Sequence, residues 1–205
     1  MTAPAVYVIA DRGAVRSHEE WLDAIAELAA SGAALQIRGK EASLEERAAA
    51  VRAALAGGGQ PFLNGASDEA RAAGAWGVHW PEAQLPDGPE RRGLYAAGAS
   101  VHSLLAAQRA AAAGADFVVF GPVFDPGSKP GRGVGLEALA RVAAGSPLPV
   151  LAVGGVTPER VGACRAAGAA GVAVVSGILA ARDRAAAVDS YRAAWRAALE
   201  GVPCR

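Results

Sequence analysis

The sequence predicts an α/β protein with the (β/α)8 architecture, a TIM barrel, built as one domain over residues 1–205. Eight short apolar segments alternate with segments of helical spacing. An Ala-Gly-Ala or Ser-Gly-Ala triplet closes four of the helical segments, and each time a strand begins within about three residues. The length lies at the compact end of the range for this fold. An open doubly wound sheet also alternates, but eight strands without a separate second half favour the closed barrel.

The predicted strands are short and apolar, and most are preceded by a turn or a helix-ending glycine. They are Val6–Ala10, Leu35–Arg38, Pro61–Leu63, Gly77–His79, Leu94–Ala99, Phe117–Phe120, Pro149–Val153 and Gly171–Val175. The predicted helices cover 18–30, 43–56, 67–73, 103–113 and 136–144, then one that begins at 158 and one at 182–199. Ser17 is a predicted N-cap, Ser43 and Glu46 form a predicted capping box, and Pro158 occupies a first helical position. The segment 80–92 predicts only a weak helical turn.

Composition excludes several classes of function. The 20 basic and 20 acidic residues balance, so no basic face for nucleic acid is expected. Apolar runs are too short to span a membrane, and no basic region precedes the first one, so neither a membrane segment nor a signal peptide is expected. We therefore expect a cytoplasmic protein. Cys164 and Cys204 lack metal-type spacing, and Cys164 lies in a helical pattern where a structural role is expected.

The rare polar residues cluster after the predicted strands. Lys40 and Lys129 are the only lysines among 20 basic residues, and Asn64 is the only asparagine. His79 and His102, two of the three histidines, also follow strands. Because active sites of this fold lie at the carboxyl ends of the strands, the cluster predicts an enzyme site. Lys40 and Lys129 are expected to contact a ligand, although a surface role for each, and a simple turn at Asn64, remain alternatives.

Two glycine-bearing regions predict anion binding. The segment 117–133 leads from a buried strand into a loop that holds Lys129 and Arg132, a combination that suits a phosphate. The loops after strands seven and eight often bind phosphate in this fold, and they hold Gly154, Gly155, Ser176 and Gly177. Glycines that only make turns are the alternative.

Histidine is the natural candidate for proton transfer near neutral pH. His102 and His79 are therefore the predicted catalytic residues, with helix capping as the alternative for His102. No metal site is predicted, because nothing pairs the carboxylates near the strand ends convincingly.

An ordered set of motifs runs over nearly the whole chain. It comprises QIRGK at 36–40, GVH at 77–79, SVHS at 100–103, GPVF at 121–124 with SKP at 128–130, AVGGV at 152–156 and VVSG at 174–177. This set resembles the thiamine phosphate synthase/TenI superfamily. The resemblance implies a thiazole phosphate as small-molecule partner, adds Gln36 and Ser100 to the substrate-binding candidates Lys40, Asn64, Lys129 and Arg132, and leaves a homo-oligomer open.

The superfamily has two main activities, and the resemblance is closer to the TenI-like branch. The synthase pattern places magnesium carboxylates where this chain has Gly65 and Gln84. The first hypothesis is therefore a metal-independent thiazole tautomerase, an isomerase without cofactor in which His102 moves the proton. The tautomerases' expected histidine is replaced by Pro122, so His102 or His79 would have to take its place, with Glu82 as a helper. The alternatives are a magnesium-dependent thiamine phosphate synthase, a transferase, and a non-catalytic regulator that binds thiazole phosphate.

Overall fold

The computed structural model describes residues 2–125 and 131–201. Within those ranges, eight parallel strands pair in chain order, and the last pairs with the first, which closes the barrel. The strands are β1 Val6–Asp11, β2 Ala34–Arg38, β3 Pro61–Asn64, β4 Gly77–Trp80, β5 Ala96–Val101, β6 Phe117–Phe120, β7 Val150–Val153 and β8 Gly171–Val174. The predicted TIM barrel is confirmed.

Helices cover the outside of the barrel. They are α1 His18–Ala30, α2 Leu44–Ala56, α3 Ser67–Ala72, α4 Leu104–Ala112, α5 Gly135–Gly145, α6 Pro158–Ala166, α7 Ser176–Leu179 and α8 Arg184–Leu199. Ser17 caps α1 through the Glu20 N–H, and Ser43 with Glu46 forms the predicted capping box of α2. None of the described helices is both long and apolar enough to cross a membrane.

Side chains of alternating residues on each strand point into the barrel, as the pleat of a strand requires. The amino-terminal half of the interior is filled by Tyr7, Phe62 and Phe117, whose ring centroids lie 5.2 to 5.6 Å apart in edge-on contacts. The larger apolar core lies between the strands and the helices, and fully buried Trp21 belongs to it. Because the aromatic layer fills only part of the barrel, the inward residues nearer the carboxyl ends of the strands can be polar.

Two local features differ from the sequence-based expectation. Strand β5 was expected at 94–99 but runs from Ala96 to Val101, in register with β4 and β6. Leu94 instead closes a turn after Gly93, whose φ is +76°, so Ser100 lies inside the strand rather than after it. After β8, Ser176 and Gly177 begin the short helix α7, which the sequence pattern did not predict.

Candidate functional site

The carboxyl ends of β1 to β5 present polar side chains to the mouth of the barrel. On each of these strands, one polar side chain alternates in step with the residues that face the barrel interior. These side chains are Asp11, Arg38, Asn64, His79 and Ser100. Their strands are neighbours in the barrel, so five polar groups from distant parts of the chain meet around one opening. This sector of the mouth is the candidate active site.

Arg38 and Asp11 form an ion pair at the mouth. Arg38 Nη1 donates to Asp11 Oδ2, and Asp11 Oδ1 accepts the N–H of Gly13 at 3.1 Å. Burial lowers the pKa of Arg38, although a guanidinium stays charged at physiological pH. The side chain of Arg38 is 27% exposed, so the cation faces the mouth while Asp11 holds it in place.

A cavity of about 480 Å³ opens beside this ion pair. Arg12, Arg38 and Lys40 line it together with the carboxylates of Asp11, Glu41 and Glu46. The structure thus places the predicted Lys40 at the mouth, beside Arg38. Sequence reasoning missed Arg38 as a site residue, although its parity with Gln36 along β2 was a signal that both side chains face the barrel interior.

His79 lies inside the barrel, fully buried. Its Nδ1 is 3.3 Å from the Tyr7 hydroxyl, and its Nε2 is 3.0 Å from Ser100 Oγ. Burial first, and the positive charge of Arg38 second, lower the pKa of His79 to about 3. The imidazole is therefore neutral at physiological pH.

The buried side of this cluster contains Tyr7 and Gln36. Burial raises the pKa of the Tyr7 hydroxyl well above its ordinary value, with a smaller opposing effect from the Gln36 side chain. Gln36 is 2% exposed, and its Nε2 has no partner of ordinary hydrogen-bond geometry in the described part of the chain. The contact from Gln36 to Tyr7 is therefore a weak one. Its position below Arg38 places the predicted Gln36 at the floor of the mouth.

His102 lies apart from His79, on the rim. Its side chain is 67% exposed, and both its Nδ1 and its backbone N–H lie 2.7 Å from Glu82 Oε2. Glu82, named as a helper of either His102 or His79, thus contacts His102. The two predicted catalytic histidines occupy different environments, one inside the barrel and one on its surface.

The opposite sector of the mouth is formed by the loops after β6, β7 and β8. Gly154 and Gly155 have φ values of +94° and +59°, and a Cβ on either would collide with the loop after β6. Both glycines are thus required by close packing. The backbone N–H groups of Gly155 and Gly177 make no hydrogen bond to another described residue, which leaves donors for an anion. Ser176 lies beside Gly177 at the start of α7.

The loop after β6 is only partly described. Lys129 falls outside the described residues, and Arg132 is exposed beyond that gap. Asp125 Oδ1 accepts the N–H of Gly133 at 2.8 Å, which ties the two sides of the loop together. That hydrogen bond, with others from the Gly131 and Arg132 backbone, lowers the pKa of Asp125.

The position after β3 does not offer the carboxylate of the synthase pattern. A Cβ on Gly65 would overlap Glu69 Oε2, and the Glu69 carboxylate is already bound by Arg47 through two hydrogen bonds of 3.1 Å. Asn64 Nδ2 donates to the His79 carbonyl at 3.2 Å, and Gln84 is exposed in a 3-10 turn. In the described ranges, no three metal-ligating side chains lie together. These residues do not fit a two-carboxylate magnesium site.

Fold and site together define a (β/α)8 barrel whose mouth offers cations in one sector and backbone N–H groups in another. A family model described as thiamine monophosphate synthase matches residues 6–178. The chain belongs to this family, the thiamine phosphate synthase/TenI superfamily, as the ordered motifs predicted.

Individual relatives agree with the family match. The thiamine-phosphate synthase of Methanoculleus marisnigri is 42% identical over 200 residues, covering 91% of this chain and 93% of the relative. The thiamine-phosphate synthase of a Roseiflexus species is 37% identical over 210 residues, covering 95% of this chain and 86% of the relative. The solved structure of thiamine phosphate pyrophosphorylase from Pyrococcus furiosus superposes with a TM-score of 0.76 at 28% identity. The superposition covers 95% of this chain and 96% of that one.

These relatives overturn one prediction. The first hypothesis, a thiazole tautomerase acting as an isomerase, is wrong, because relatives that are 37% to 42% identical over most of the chain are named as synthases, which are transferases. The error came from giving the missing carboxylates at positions 65 and 84 more weight than the motifs that the chain shares with both branches, whereas Pro122 already counted against the tautomerase.

Proposed function

We propose that this protein is a transferase that couples a hydroxymethylpyrimidine pyrophosphate to a thiazole phosphate, giving thiamine phosphate and pyrophosphate. The names and extent of the 37% to 42% identical relatives are the observation that carries this proposal. In the coupling, the thiazole nitrogen forms a bond to the methylene carbon of the pyrimidine. The bond between that carbon and the pyrophosphate oxygen breaks, and pyrophosphate leaves with the electron pair.

The mouth of the barrel suits a reaction of two anionic substrates. We assign the pyrophosphate to the sector of Arg38 and Lys40, with Asn64 and Ser100 beside it on β3 and β5. We assign the thiazole phosphate to the sector of the predicted phosphate-binding residues, Gly154, Gly155, Ser176 and Gly177. Lys129 and Arg132 stay proposed ligand contacts from the loop after β6.

Arg38 is the side chain best placed to stabilise the leaving group. Negative charge on the pyrophosphate grows as its bond to carbon breaks, and a fixed cation in a partly buried site stabilises that charge more than water does. The ion pair with Asp11 holds the guanidinium before the substrate arrives. This preorganisation lowers the barrier because no reorganisation is needed in the transition state.

The described residues do not form a carboxylate site for magnesium. A pyrophosphate commonly binds proteins together with Mg²⁺. We therefore expect added Mg²⁺ to be required for coupling, and we assign no protein residue as its ligand.

The test is a coupling assay on the purified protein with both substrates, with Mg²⁺ or with a chelator, and with each substrate omitted in turn. Thiamine phosphate is measured by mass spectrometry, and pyrophosphate is measured separately. Equal amounts of the two products, only when both substrates are present, would support the transferase. Substrate binding without either product would indicate a non-catalytic binder and contradict the proposal.

A matched pair of arginine variants localises the pyrophosphate site. Arg38→Met removes the cation at the mouth, whereas Arg52→Met removes an exposed arginine on α2 outside it. Arg38→Met is expected to lower kcat/KM by roughly ten- to a hundredfold, since a hydrogen bond to a charged group is worth about 1.5–3 kcal/mol. Arg52→Met is expected to keep the wild-type value. Equal activity of both variants would remove Arg38 from the pyrophosphate site.

We also propose a cytoplasmic location, with small molecules as the substrates. A homo-oligomer remains a prediction, which light scattering on the purified protein would measure.

A further inference from the structure

A chain of three polar side chains crosses the barrel interior from β1 through β4 to β5. We propose that buried Tyr7 and His79 orient the Ser100 hydroxyl so that it donates its hydrogen to an anionic oxygen of the substrate in the mouth. Tyr7 and His79 are then positioning residues, and Ser100 is the contact with the ligand. This inference rests on the proposed function, because it takes the pyrophosphate as that ligand.

The surroundings of His79 keep its imidazole uncharged. Tyr7 faces the ring from β1, Arg38 from β2, Ser100 from β5 and Phe117 from β6. None of these four groups carries a negative charge, because burial raises the pKa of the Tyr7 hydroxyl and keeps it protonated, and the one that is charged is a cation. Burial and that cation together account for a pKa of about 3. A neutral imidazole has one donor nitrogen and one acceptor nitrogen.

The Tyr7 hydroxyl decides which nitrogen is the acceptor. Tyr7 is fully buried, and a buried O–H donor needs an acceptor. His79 Nδ1, at 3.3 Å, is the acceptor within its reach, since the Gln36 side chain lowers the pKa of Tyr7 and therefore acts on the hydroxyl as a donor. With Nδ1 accepting, the hydrogen of the ring lies on Nε2.

The direction of the next hydrogen bond follows. The Nε2–H of His79 donates to Ser100 Oγ over 3.0 Å, so the hydroxyl hydrogen of Ser100 is free to point elsewhere. Oxygens of an ionised pyrophosphate only accept hydrogen bonds, and a donor is what they need. In the opposite tautomer Ser100 would donate to Nε2 and present a lone pair to the anion, which is repulsive. The buried pair therefore sets the polarity of Ser100.

Packing holds the imidazole in this position. The Tyr7 ring is stacked on the imidazole with centroids 5.7 Å apart. A Cβ on Gly98 would lie 2.8 Å from His79 Nδ1 and 2.6 Å from the Phe117 ring. Glycine at position 98 is therefore required for the imidazole and the Phe117 ring to stand where they do.

The first test measures the tautomer directly, without activity. Protein labelled with ¹⁵N-histidine is examined by long-range ¹H–¹⁵N correlation from pH 5.5 to 8.5, with His79→Gln assigning the signal. We expect a neutral ring protonated on Nε2 throughout. A ring protonated on Nδ1, or one that becomes charged within this range, would overturn the inference even if coupling activity is present.

The second test compares two substitutions of His79. Gln can place an amide N–H near the position of Nε2, whereas Asn reaches only as far as Nδ1. We expect His79→Asn to raise the KM for the pyrophosphate substrate about tenfold or more with a smaller change in kcat, and His79→Gln to recover most of that loss. Equal KM values for both variants and the wild type would contradict the positioning role.

Ser100→Ala completes the comparison. If His79 acts through Ser100, adding His79→Asn to Ser100→Ala should cause no further increase in KM, whereas independent roles would multiply the two effects. Thermal unfolding of every variant identifies any loss of folding. Tyr7→Phe is the fallback for a variant that does not fold, and it is expected to give a mixture of both tautomers in the spectra. A single Nε2–H tautomer in folded Tyr7→Phe would refute the role of Tyr7.

Failure of the proposed function would be recognised separately. If the wild type does not couple the substrates, calorimetric binding of inorganic pyrophosphate replaces KM as the readout for the same variants. Weaker binding by Ser100→Ala and His79→Asn, but not by His79→Gln, would keep the inference. Unchanged binding by all three would reject it.

Discussion

Replacement of Gly65 by alanine is the sharpest stability prediction from the site. The added Cβ would overlap Glu69 Oε2 and lie 3.3 Å from Arg47 Nη1. Gly65 also has a φ of +153°, which side chains rarely adopt. To accommodate alanine, the Glu69 carboxylate must move away from the new Cβ, which disrupts its two hydrogen bonds of 3.1 Å with Arg47.

The expected cost has two parts. Loss of the ion pair costs about 1–2 kcal/mol, a value below that of a fully buried pair because the Glu69 side chain is 38% exposed. Backbone strain adds about 1–2 kcal/mol. Together they give about 2–4 kcal/mol, which corresponds to a fall in Tm of roughly 5–12 °C for a domain of this size.

The assay is urea unfolding at pH 7 followed by circular dichroism, with two controls. Gly58→Ala has a φ of +79° and open space around its Cβ, so it reports backbone strain alone. Gly65→Ala is also made in a Glu69→Ala background, where the overlapping carboxylate is gone and the cost should fall by the ion-pair part. The same cost in both backgrounds would refute the collision as its cause.

Three further predictions address other parts of the chain. Hydrogen bonding to Arg47 is the main cause that lowers the pKa of Glu69. The ionised Glu69 side chain therefore stabilises the fold above the ordinary carboxyl pKa, and this stabilisation is lost as the pH falls through the lowered pKa. The difference in unfolding free energy between Glu69→Gln and wild type should shrink from pH 7 to pH 3. Burial raises the pKa of Cys164 to about 11. Cys204→Ser leaves Cys164 as the one thiol, and this variant should react with a thiol reagent only after unfolding. Rapid reaction of the native variant would contradict the buried placement of Cys164. Gly154 has a φ of +94°, and a Cβ there would collide with the loop after β6. Gly154→Ala should therefore lower Tm and weaken the binding of inorganic phosphate, which calorimetry measures. Binding as tight as in the wild type would show that phosphate binding does not need this loop geometry.

Local signals were sufficient to predict the barrel. Each strand is a short apolar run, and helix starts such as Ser43 with Glu46 are encoded within four residues. The same signals failed at β5, because Leu94 is as apolar as a strand residue and only pairing with β4 and β6 shows that the strand begins at Ala96. The register of a strand with uniform small residues is set by its neighbours rather than by its own pattern.

The candidate site was predicted only in part, because some of its contacts join residues that are far apart in the chain. Asn64, Lys40 and His79 are candidates from the sequence because they are rare residue types at predicted strand ends, and the structure places them near the mouth of the barrel. The link from Tyr7 to His79 joins residues 72 positions apart, and no local pattern reports such a contact. The inward parity of Arg38 was available from β2, but an arginine in an arginine-rich chain is not conspicuous by its type.

The incorrect choice of branch shows how a missing side chain can mislead. Position 65 carries no carboxylate in the sequence, which by residue type alone argues against the synthase. In three dimensions the Glu69 carboxylate, one helical turn further on, lies where a side chain on Gly65 would begin, but its hydrogen bonds are made to the protein and not offered to a ligand. Arg47 and the Ala66 N–H bind that carboxylate, so it also keeps the start of α3 in place. The absence of a carboxylate at position 65 therefore holds in the structure as well, but one missing side chain does not decide the branch, because relatives that are 37% to 42% identical over most of the chain are named as synthases.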